Sequence, residues 1–219
     1  MELFKAMVSH ASRDERRLRE LFAWLKERRA QTAIRSRRVS LSEVMEHRFG
    51  ARTVTDDRIK DCVALVKTVL HEREVREWAQ PLMFSPVEHL CGLILKKAGG
   101  DYYGLMQAVE EPGIIGSCQV GPTVQTDIMP NAGKGVRQNY LPLFDNPRNG
   151  TLLFDGVQSE EGGRFFRDKK RYRAILLSAN AVTHPEERYR WVPMGCLKRA
   201  LSRENTVNMY VRTFMAMLL

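Results

Sequence analysis

The chain has 219 residues, 43% of them hydrophobic, and its 35 lysines and arginines against 26 acidic residues give a formal net charge of +9. This length suits one α/β or α+β domain with a sizeable core and argues against two full domains. The positive charge indicates an anionic partner, which is a nucleic acid, an anionic membrane surface or a nucleotide diphosphate.

Neither a membrane segment nor a metal site is indicated. No apolar run approaches the roughly 20 residues that cross a bilayer, and Met1 is not followed by a signal-type apolar stretch. We therefore expect a soluble, cytoplasmic protein. The cysteines form no CxxC pair and have no histidine at metal-ligand spacing, so we expect buried thiols rather than a zinc site or a disulfide framework; they are Cys62, Cys91, Cys118 and Cys196.

The first predicted element is a basic amphipathic helix over residues 12–29. Its apolar residues recur at helical spacing and must pack on another surface; they are Leu18, Leu21, Phe22 and Leu25. Ser40 or Ser42 is placed to cap a second short helix, which Gly50 ends. The basic residues of this region, and those of residues 164–173, form either a solvated face or a set of phosphate contacts.

A series of short strands is predicted next, because β-branched and apolar residues come in runs that are bounded by charged or glycine-rich turns. Residues 98–101 have the composition of a hairpin turn between two of these strands. The predicted strands are Val63–Leu70, Glu77–Phe84, His89–Lys97, Tyr102–Val109, Ile115–Val120, Thr151–Val157 and Ala174–Ser178.

The rest of the chain is predicted to contain a long loop and two terminal helices. Residues 121–149 are rich in Pro, Gly and Asn without periodicity, which fits a functional loop or a disordered one. Pro193 is placed in the first turn of a short helix. Asn205 or Thr206 is placed to cap a final helix. The apolar face of that helix is typical of core packing and comprises Val207, Val211, Phe214, Met215 and Leu218.

An ordered series of phrases carries a resemblance to a known family. The phrases are Trp78–Pro81, Gln107–Gly113, Gln119–Gln125, Asn139–Leu141, Gln158–Phe165 and Asn205–Arg212. Their order and spacing resemble one module of the NDP-hexose 2,3-dehydratases. The resemblance covers residues 59–219, so we predict that this range is the module and that residues 1–58 are an N-terminal helical segment.

The resemblance implies a fold, an activity and an assembly. The fold is α+β, a Nudix-like mixed β-sheet flanked by helices. The activity is loss of water across C2 and C3 of a nucleotide-linked 4-keto-6-deoxyhexose, with a dTDP-sugar as substrate, in deoxysugar and antibiotic biosynthesis. Members of the family carry two modules, so a homodimer of this chain would supply the pair. The chemistry needs a base, an acid and enolate-stabilising donors, and we expect no cofactor.

Two carboxylates are the candidate catalytic groups. Glu160 is the first candidate for the base, because the Ser-Glu-x-Gly phrase of the family is intact here and a partly desolvated Glu titrates nearer to neutral pH. Ser159 precedes it in the same phrase and is expected to bind substrate. Glu111 is the next carboxylate; its alternative is a turn residue that accepts backbone N–H groups.

The other candidate residues are expected to bind the sugar nucleotide. Gln119, Thr123 and Gln125 alternate along an extended run and should share one polar face, which otherwise is a solvent-facing edge. Asn208 and Arg212 stand at i and i+4 of the final helix, where the guanidinium could hold a phosphate; Arg212 is otherwise an ordinary surface residue. The aromatic ring of Trp78 is placed to stack on a base or to pack in the core.

Departures from the family pattern keep other functions open. Val109 and Ile114 stand where the family has Lys and Asn, and residues 127–135 contain no His where the family has His-Gly-Gly. A non-catalytic NDP-sugar binder, or a lyase or isomerase acting on another keto-sugar or nucleoside, would fit. A Nudix pyrophosphatase fits less well because Ala98 stands at a magnesium-ligand position. A nucleic-acid-binding module would explain the charge but lacks a recognition phrase.

Overall fold

The computed structural model describes residues 15–38, 40, 62–70, 74–126, 140–145, 150–178 and 185–218. Their helices are α1 (Glu15–Gln31), α2 (Pro142–Asp145), α3 (Met194–Ala200) and α4 (Met209–Met217). Their strands are β1 (Cys62–Val69), β2 (Glu77–Phe84), β3 (His89–Ala98), β4 (Asp101–Glu110), β5 (Cys118–Gly121), β6 (Val124–Gln125), β7 (Thr151–Ser159), β8 (Lys169–Leu177) and β9 (Tyr189–Pro193). The predicted α+β class is thus confirmed.

The chain divides into two compact units. The first unit comprises residues 1–36, 90–156 and 172–219, and the second comprises residues 37–89 and 157–171. Helix α1 contributes to the core of the first unit, and the predicted module boundary at residue 59 stays a prediction. Among the described residues, no helix is long and apolar enough to cross a membrane.

In a seven-stranded sheet, hydrogen-bonded neighbours follow the path β5-β4-β3-β8-β7, with β6 also paired to β3 and β9 also paired to β4. Strand β4 is antiparallel to β9 over residues 103–107, to β3 over residues 101–104 and to β5 over residues 107–110. Strand β9 occupies one edge of β4 along residues that also pair with β3 or with β5. Strands β3 and β5 therefore both pair with the other edge of β4. Strand β3 must therefore leave β4 before β5 joins it.

Helix α1 packs its apolar stripe into the core of the first unit, which confirms the prediction that the stripe is covered; the covering surface belongs to the same chain. The buried residues of the stripe are Leu18, Leu21, Trp24 and Leu25, in one cluster with Met106 and Val120 of the sheet. Burial of such a side chain contributes about 1.5–3 kcal/mol. The Trp24 indole N–H also donates to the Glu187 carbonyl at 3.1 Å. Apolar packing and this hydrogen bond together hold the helix in place.

A second core cluster of the first unit contains helix α2. Its members are Ile94, Leu105, Val124, Phe144, Ile175, Leu177 and Tyr189. Gly92 allows the α2 segment to come close to β3, because a Cβ atom at Gly92 would lie 2.6 Å from the Phe144 ring. The glycine inside this strand is therefore required by the approach of Phe144.

The second unit contains the antiparallel β1–β2 hairpin. Met83 of β2 also pairs with residues 164–166, because its N–H donates to Arg164 and its carbonyl accepts from Phe166 at 2.7 Å. One face of the hairpin is exposed and carries four apolar residues beside the Lys67–Glu77 ion pair; the apolar residues are Val63 (56% exposed), Leu65 (78%), Val69 (52%) and Met83 (42%). We call this set the hairpin face.

Two predicted strands have different bounds in the structure. Residues 115–117 are not extended, because Gly116 and Ser117 have positive φ angles of 79° and 59°, so β5 begins only at Cys118. Strand β8 begins at Lys169, before the predicted Ala174, because Lys170 and Tyr172 are buried although they stand in a basic run.

The loop and helix boundaries also differ. The predicted loop over residues 121–149 contains β6 and α2 among its described residues. The final helix is capped by Asn208, so the prediction of Asn205 or Thr206 as the cap was wrong. Val120 donates to Thr206 and accepts from Asn208, each at 2.9 Å, which keeps this segment extended up to residue 208. The second short helix predicted after Ser40 or Ser42 lies outside the described residues.

Candidate functional site

A chain of hydrogen-bonded polar side chains joins the end of β4 to β6 and α4. The Gln125 amide donates to Glu111 Oε1 at 2.6 Å, and the Asn208 amide donates to Gln125 Oε1 at 3.1 Å. Asn208 Oδ1 accepts from the Val211 N–H at 3.1 Å. Gln125 and Asn208 are buried, whereas Glu111 is half-buried. We call these three residues the Glu111 network; in it two buried amides set the orientation of a carboxylate.

Thr123 positions this network from within the sheet. The ladder between β3 and β4 ends at the pair Leu95 and Gly104, so Ile94 and Leu105 would pair next. Instead, the Thr123 hydroxyl accepts from the Ile94 N–H at 2.9 Å and donates to the Leu105 carbonyl at 2.6 Å. Thr123 thus bridges the two strands where they separate, and β6 follows directly with Gln125.

The prediction that Gln119, Thr123 and Gln125 share one polar face is wrong. Gln119 lies on β5 opposite Val109 and is partly exposed, whereas Gln125 lies on β6 opposite Cys91 and is buried. The run is two strands with different partners, because residues 122–123 leave β5 and cross to β3. Of the three residues, only Gln125 belongs to the Glu111 network; whether any of them binds substrate stays a prediction.

Asn208 and Arg212 also do not form the predicted pair on a helix surface. Asn208 is the N-cap residue, with extended backbone angles, and its amide is bonded inward to Gln125 and Val211. Arg212 is exposed, and no side-chain hydrogen bond or ion pair involves it within the described part of the chain. The two side chains therefore have different surroundings, and a phosphate-binding role of Arg212 stays a prediction.

Gln107 was missed as a candidate residue. It is 1% exposed at the centre of β4, where it pairs with Gly121 of β5 and Tyr189 of β9. Gly121 has no room for a side chain, because its Cβ would lie 2.3 Å from Val109 Cγ2 and 3.1 Å from Asn208 Nδ2. The sequence did contain a signal for Gln107, because it is a glutamine inside an otherwise apolar predicted strand. A polar residue that is expected to be buried points to a specific role more strongly than a buried apolar residue does.

The remaining candidates lie in the second unit. The Glu160 N–H donates to the Asp168 carbonyl at 3.0 Å, and Glu160 Oε1 is completely buried. Ser159 is exposed at the end of β7. The Trp78 indole N–H donates to Gln80 Oε1 at 3.1 Å, and its ring is partly buried on β2. Their predicted catalytic and binding roles stay predictions.

A buried ion pair near Glu160 was not foreseen. Lys170 and Asp168 are each 5% exposed and lie 3.6 Å apart, and Asp168 also accepts from the Lys169 N–H at 2.8 Å. The sequence placed Lys170 in a surface cluster. A buried pair of this kind is costly to break from one side, since the other charge would remain unpaired. The ion pair lies beside Glu160, because the Asp168 carbonyl accepts from the Glu160 N–H.

Two buried groups of the first unit, Cys118 and Tyr189, stay protonated at neutral pH. Burial, together with the nearby charge of Glu110, raises the pKa of the Cys118 thiol to about 11, although nearby arginines oppose this rise. Burial likewise raises the pKa of Tyr189 to about 12. Cys91, Cys118 and Cys196 are buried free thiols, as predicted. Within the described ranges, no group of three or more His, Cys, Asp or Glu side chains is arranged to hold a metal ion.

Comparisons with known proteins identify one family over most of the chain. The model of the family described as NDP-hexose 2,3-dehydratase matches residues 18–218. Three relatives are named dTDP-4-dehydro-6-deoxy-alpha-D-glucopyranose 2,3-dehydratase. The protein of Saccharopolyspora spinosa is 28% identical over 94% of this chain and 43% of its own length. That of Amycolatopsis orientalis is 26% identical over 90% and 42%. That of Streptomyces violaceoruber is 33% identical over 66% and 32%.

The chain thus spans less than half the length of the curated relatives that it matches. Among solved structures, an Ap4A hydrolase of C. elegans is 15% identical over 61% of this chain and 98% of that chain, with a TM-score of 0.37. This score does not establish a shared fold, so the Nudix-like topology stays a prediction.

Proposed function

Since this chain belongs to the NDP-hexose 2,3-dehydratase family, we propose that it removes water across C2 and C3 of a dTDP-linked 4-keto-6-deoxyhexose. The observation that carries this proposal is the family match over residues 18–218, which includes every candidate carboxylate and amide. The relatives' names supply the nucleotide and the sugar. The net charge of +9 suits the diphosphate.

The proposed reaction is an elimination followed by a tautomerisation. The ketone at C4 acidifies the C3 proton, which a carboxylate removes, and the electrons form the C2–C3 double bond as the 2-hydroxyl leaves with a proton from an acid. Hydrogen-bond donors stabilise the charge that develops on the C4 oxygen. The resulting enol becomes a 3,4-diketo-2,6-dideoxy sugar. No electron donor or acceptor is needed, and we propose a cofactor-independent enzyme.

Two carboxylates are proposed for the proton transfers. Glu160 remains the first candidate for the base; the burial of one of its oxygens is consistent with a desolvated carboxylate. Glu111 is the second candidate, and the Gln125 amide at 2.6 Å supports it because a catalytic carboxylate must be held in one orientation. The high pKa values of Cys118 and Tyr189 support carboxylates over a thiolate or a phenolate.

Arg212 is the proposed contact to the diphosphate. Its guanidinium is exposed and takes no part in a hydrogen bond or ion pair within the described residues, so it is available to an anion. Arginine suits this role because its planar donors bind phosphate oxygens in pairs. Gln119 and Ser159, both accessible to solvent, are proposed to bind the sugar nucleotide, and Trp78 is proposed to stack on the base.

We also propose a homodimer, by analogy with the paired modules of the family. The hairpin face supports association, because large exposed apolar side chains grouped on one face are typical of protein contacts. Light scattering at micromolar concentration is expected to give twice the chain mass for the wild type and the chain mass for Leu65→Lys. A monomeric wild type would contradict the proposal. We further propose a role in deoxysugar biosynthesis, which the relatives' names support. A cytoplasmic location and a role in antibiotic biosynthesis are proposed from the sequence resemblance alone.

Incubation with dTDP-4-dehydro-6-deoxyglucose, followed by mass spectrometry, tests the function. We expect loss of one water in the presence of EDTA and the same rate in its absence. Stoichiometric metal in the purified protein would contradict cofactor independence.

A second candidate is binding of the sugar nucleotide without turnover, favoured by the missing His of residues 127–135. Calorimetric binding without any loss of water would support this alternative. Retention on heparin or DNA in preference to a dTDP-sugar resin would contradict both functions.

A further inference from the structure

The side chain of Gln107 has a buried acceptor that the protein does not use. Gln107 is 1% exposed, and its Oε1 atom has no hydrogen-bond partner among the residues that the structure describes. Buried polar side chains in native proteins nearly always have a partner, so each exception requires an explanation. A methionine or leucine would fill the same space without this penalty.

Gln107 lies inside the sheet, so its polar side chain is not explained by exposure to solvent. Strand β4 has a ladder on both of its edges at this point, to Gly121 and to Tyr189. Residues directly opposite each other in a ladder have side chains on the same face, so Gln107 lies beside the position that Gly121 leaves without a side chain. Asn208 Nδ2 would be only 3.1 Å from a Cβ atom there. Gln107 thus neighbours the Glu111 network.

We propose that Gln107 Oε1 accepts a hydrogen bond from the bound sugar nucleotide and is a specificity-determining residue of this site. The inference rests on the proposed function. The donor is either a sugar hydroxyl or the imide N–H of the thymine base, since both present a single hydrogen to an amide oxygen. A site that keeps an unpaired acceptor for the ligand discriminates against analogues without the donor, because the acceptor would then stay unpaired.

Substitution of Gln107 by Met, which has almost the same shape, separates a ligand-binding role from a structural one. Without ligand, Gln107→Met should melt higher than the wild type by about 2–4 °C, because the unpaired acceptor is gone. With dTDP-4-dehydro-6-deoxyglucose, its dissociation constant should rise about 10-fold or more, because the ligand donor loses its partner. Gln31→Met is the matched control, since Gln31 is an exposed glutamine on α1 and should change neither quantity.

Calorimetry with dTDP alone distinguishes the two sources of the donor. Weaker binding of dTDP and of the sugar nucleotide to Gln107→Met assigns the donor to the base. Weaker binding of the sugar nucleotide alone assigns it to the sugar. Unchanged binding of both ligands overturns the inference and leaves the proposed function intact, as expected if an internal water satisfies Oε1.

Two further outcomes are decisive. If the wild type binds neither ligand, the proposed function fails and the inference falls with it. If Gln107→Met and a second variant, Gln107→Leu, both melt below the wild type or do not fold, Oε1 has a partner in the free protein and the inference is overturned.

Discussion

Replacing Thr123 by Val tests whether this residue supports the sheet or binds the sugar. Valine keeps the shape and removes the hydroxyl, which leaves the Ile94 N–H and the Leu105 carbonyl without their bonds of 2.9 and 2.6 Å. Thr123 is 0% exposed, so water cannot replace the hydroxyl without rearrangement. At about 1–3 kcal/mol for each unsatisfied buried group, the free energy of unfolding should fall by roughly 2–6 kcal/mol.

Denaturant unfolding followed by circular dichroism measures this loss. Thr123→Ser retains the hydroxyl and should lose only about 1 kcal/mol for one methyl group. Thr126→Val is the matched control: the Thr126 hydroxyl accepts from the Leu90 N–H at 2.8 Å, but the residue is only half-buried, so we expect a loss of about 1 kcal/mol. A Thr123→Val variant with wild-type stability and a raised KM would refute the structural role and restore the predicted contact to the sugar.

The other predictions concern chemistry, binding and pH. Glu160→Gln should lower kcat by about 10²–10⁴-fold with little change in the affinity for the sugar nucleotide, and full turnover or an unfolded variant would remove Glu160 as the base. Arg212→Ala should weaken dTDP binding by about 1.5–3 kcal/mol and change kcat less, whereas unchanged binding would return Arg212 to an ordinary surface residue. The pKa of Cys118 is raised to about 11 from its ordinary value of 9.0, so the buried thiol contributes stability below pH 9 that is lost as the pH rises to 11. By pH 11 that loss should reach about 2 kcal/mol. It should be absent in Cys118→Ala unfolded over the same pH range, and equal pH dependence of the two proteins would contradict it.

The parts of the fold that depend on local patterns could be predicted from the sequence. The stripe of Leu18, Leu21 and Leu25 predicted a docked helix because helical spacing brings these residues to one face. Most strands were predicted because each is a run of apolar residues between turns. By contrast, β6 is only two residues long and exists because β3 and β4 separate, which no local pattern records.

The Glu111 network was predicted residue by residue but not as a network. Glu111, Gln125 and Asn208 were each named from their phrases, yet their hydrogen bonds depend on contacts between residues 14 and 83 positions apart. The helical face assigned to Asn208 was wrong because residues 206–208 pair with Val120, a contact that is invisible in the local sequence.

The sequence analysis did not predict that two polar residues, Lys170 and Gln107, are buried. Lys170 stands in a run of basic residues that is typical of a solvated surface, but alternation along β8 turns its side chain inward toward Asp168. Gln107 was passed over because its phrase was interpreted through the carboxylates that follow it. In both cases the decisive quantity is the exposed fraction of the side chain, 5% and 1%.

Oxygen labelling at C2 tests the proposed elimination most directly. The purified chain is incubated with dTDP-4-dehydro-6-deoxyglucose that carries ¹⁸O in its 2-hydroxyl, and the nucleotide product is analysed by mass spectrometry. If the chain catalyses the proposed reaction, the product has lost one water together with the label. A product that retains the label, or an unchanged substrate under conditions in which calorimetry shows it to be bound, would contradict the 2,3-dehydratase activity.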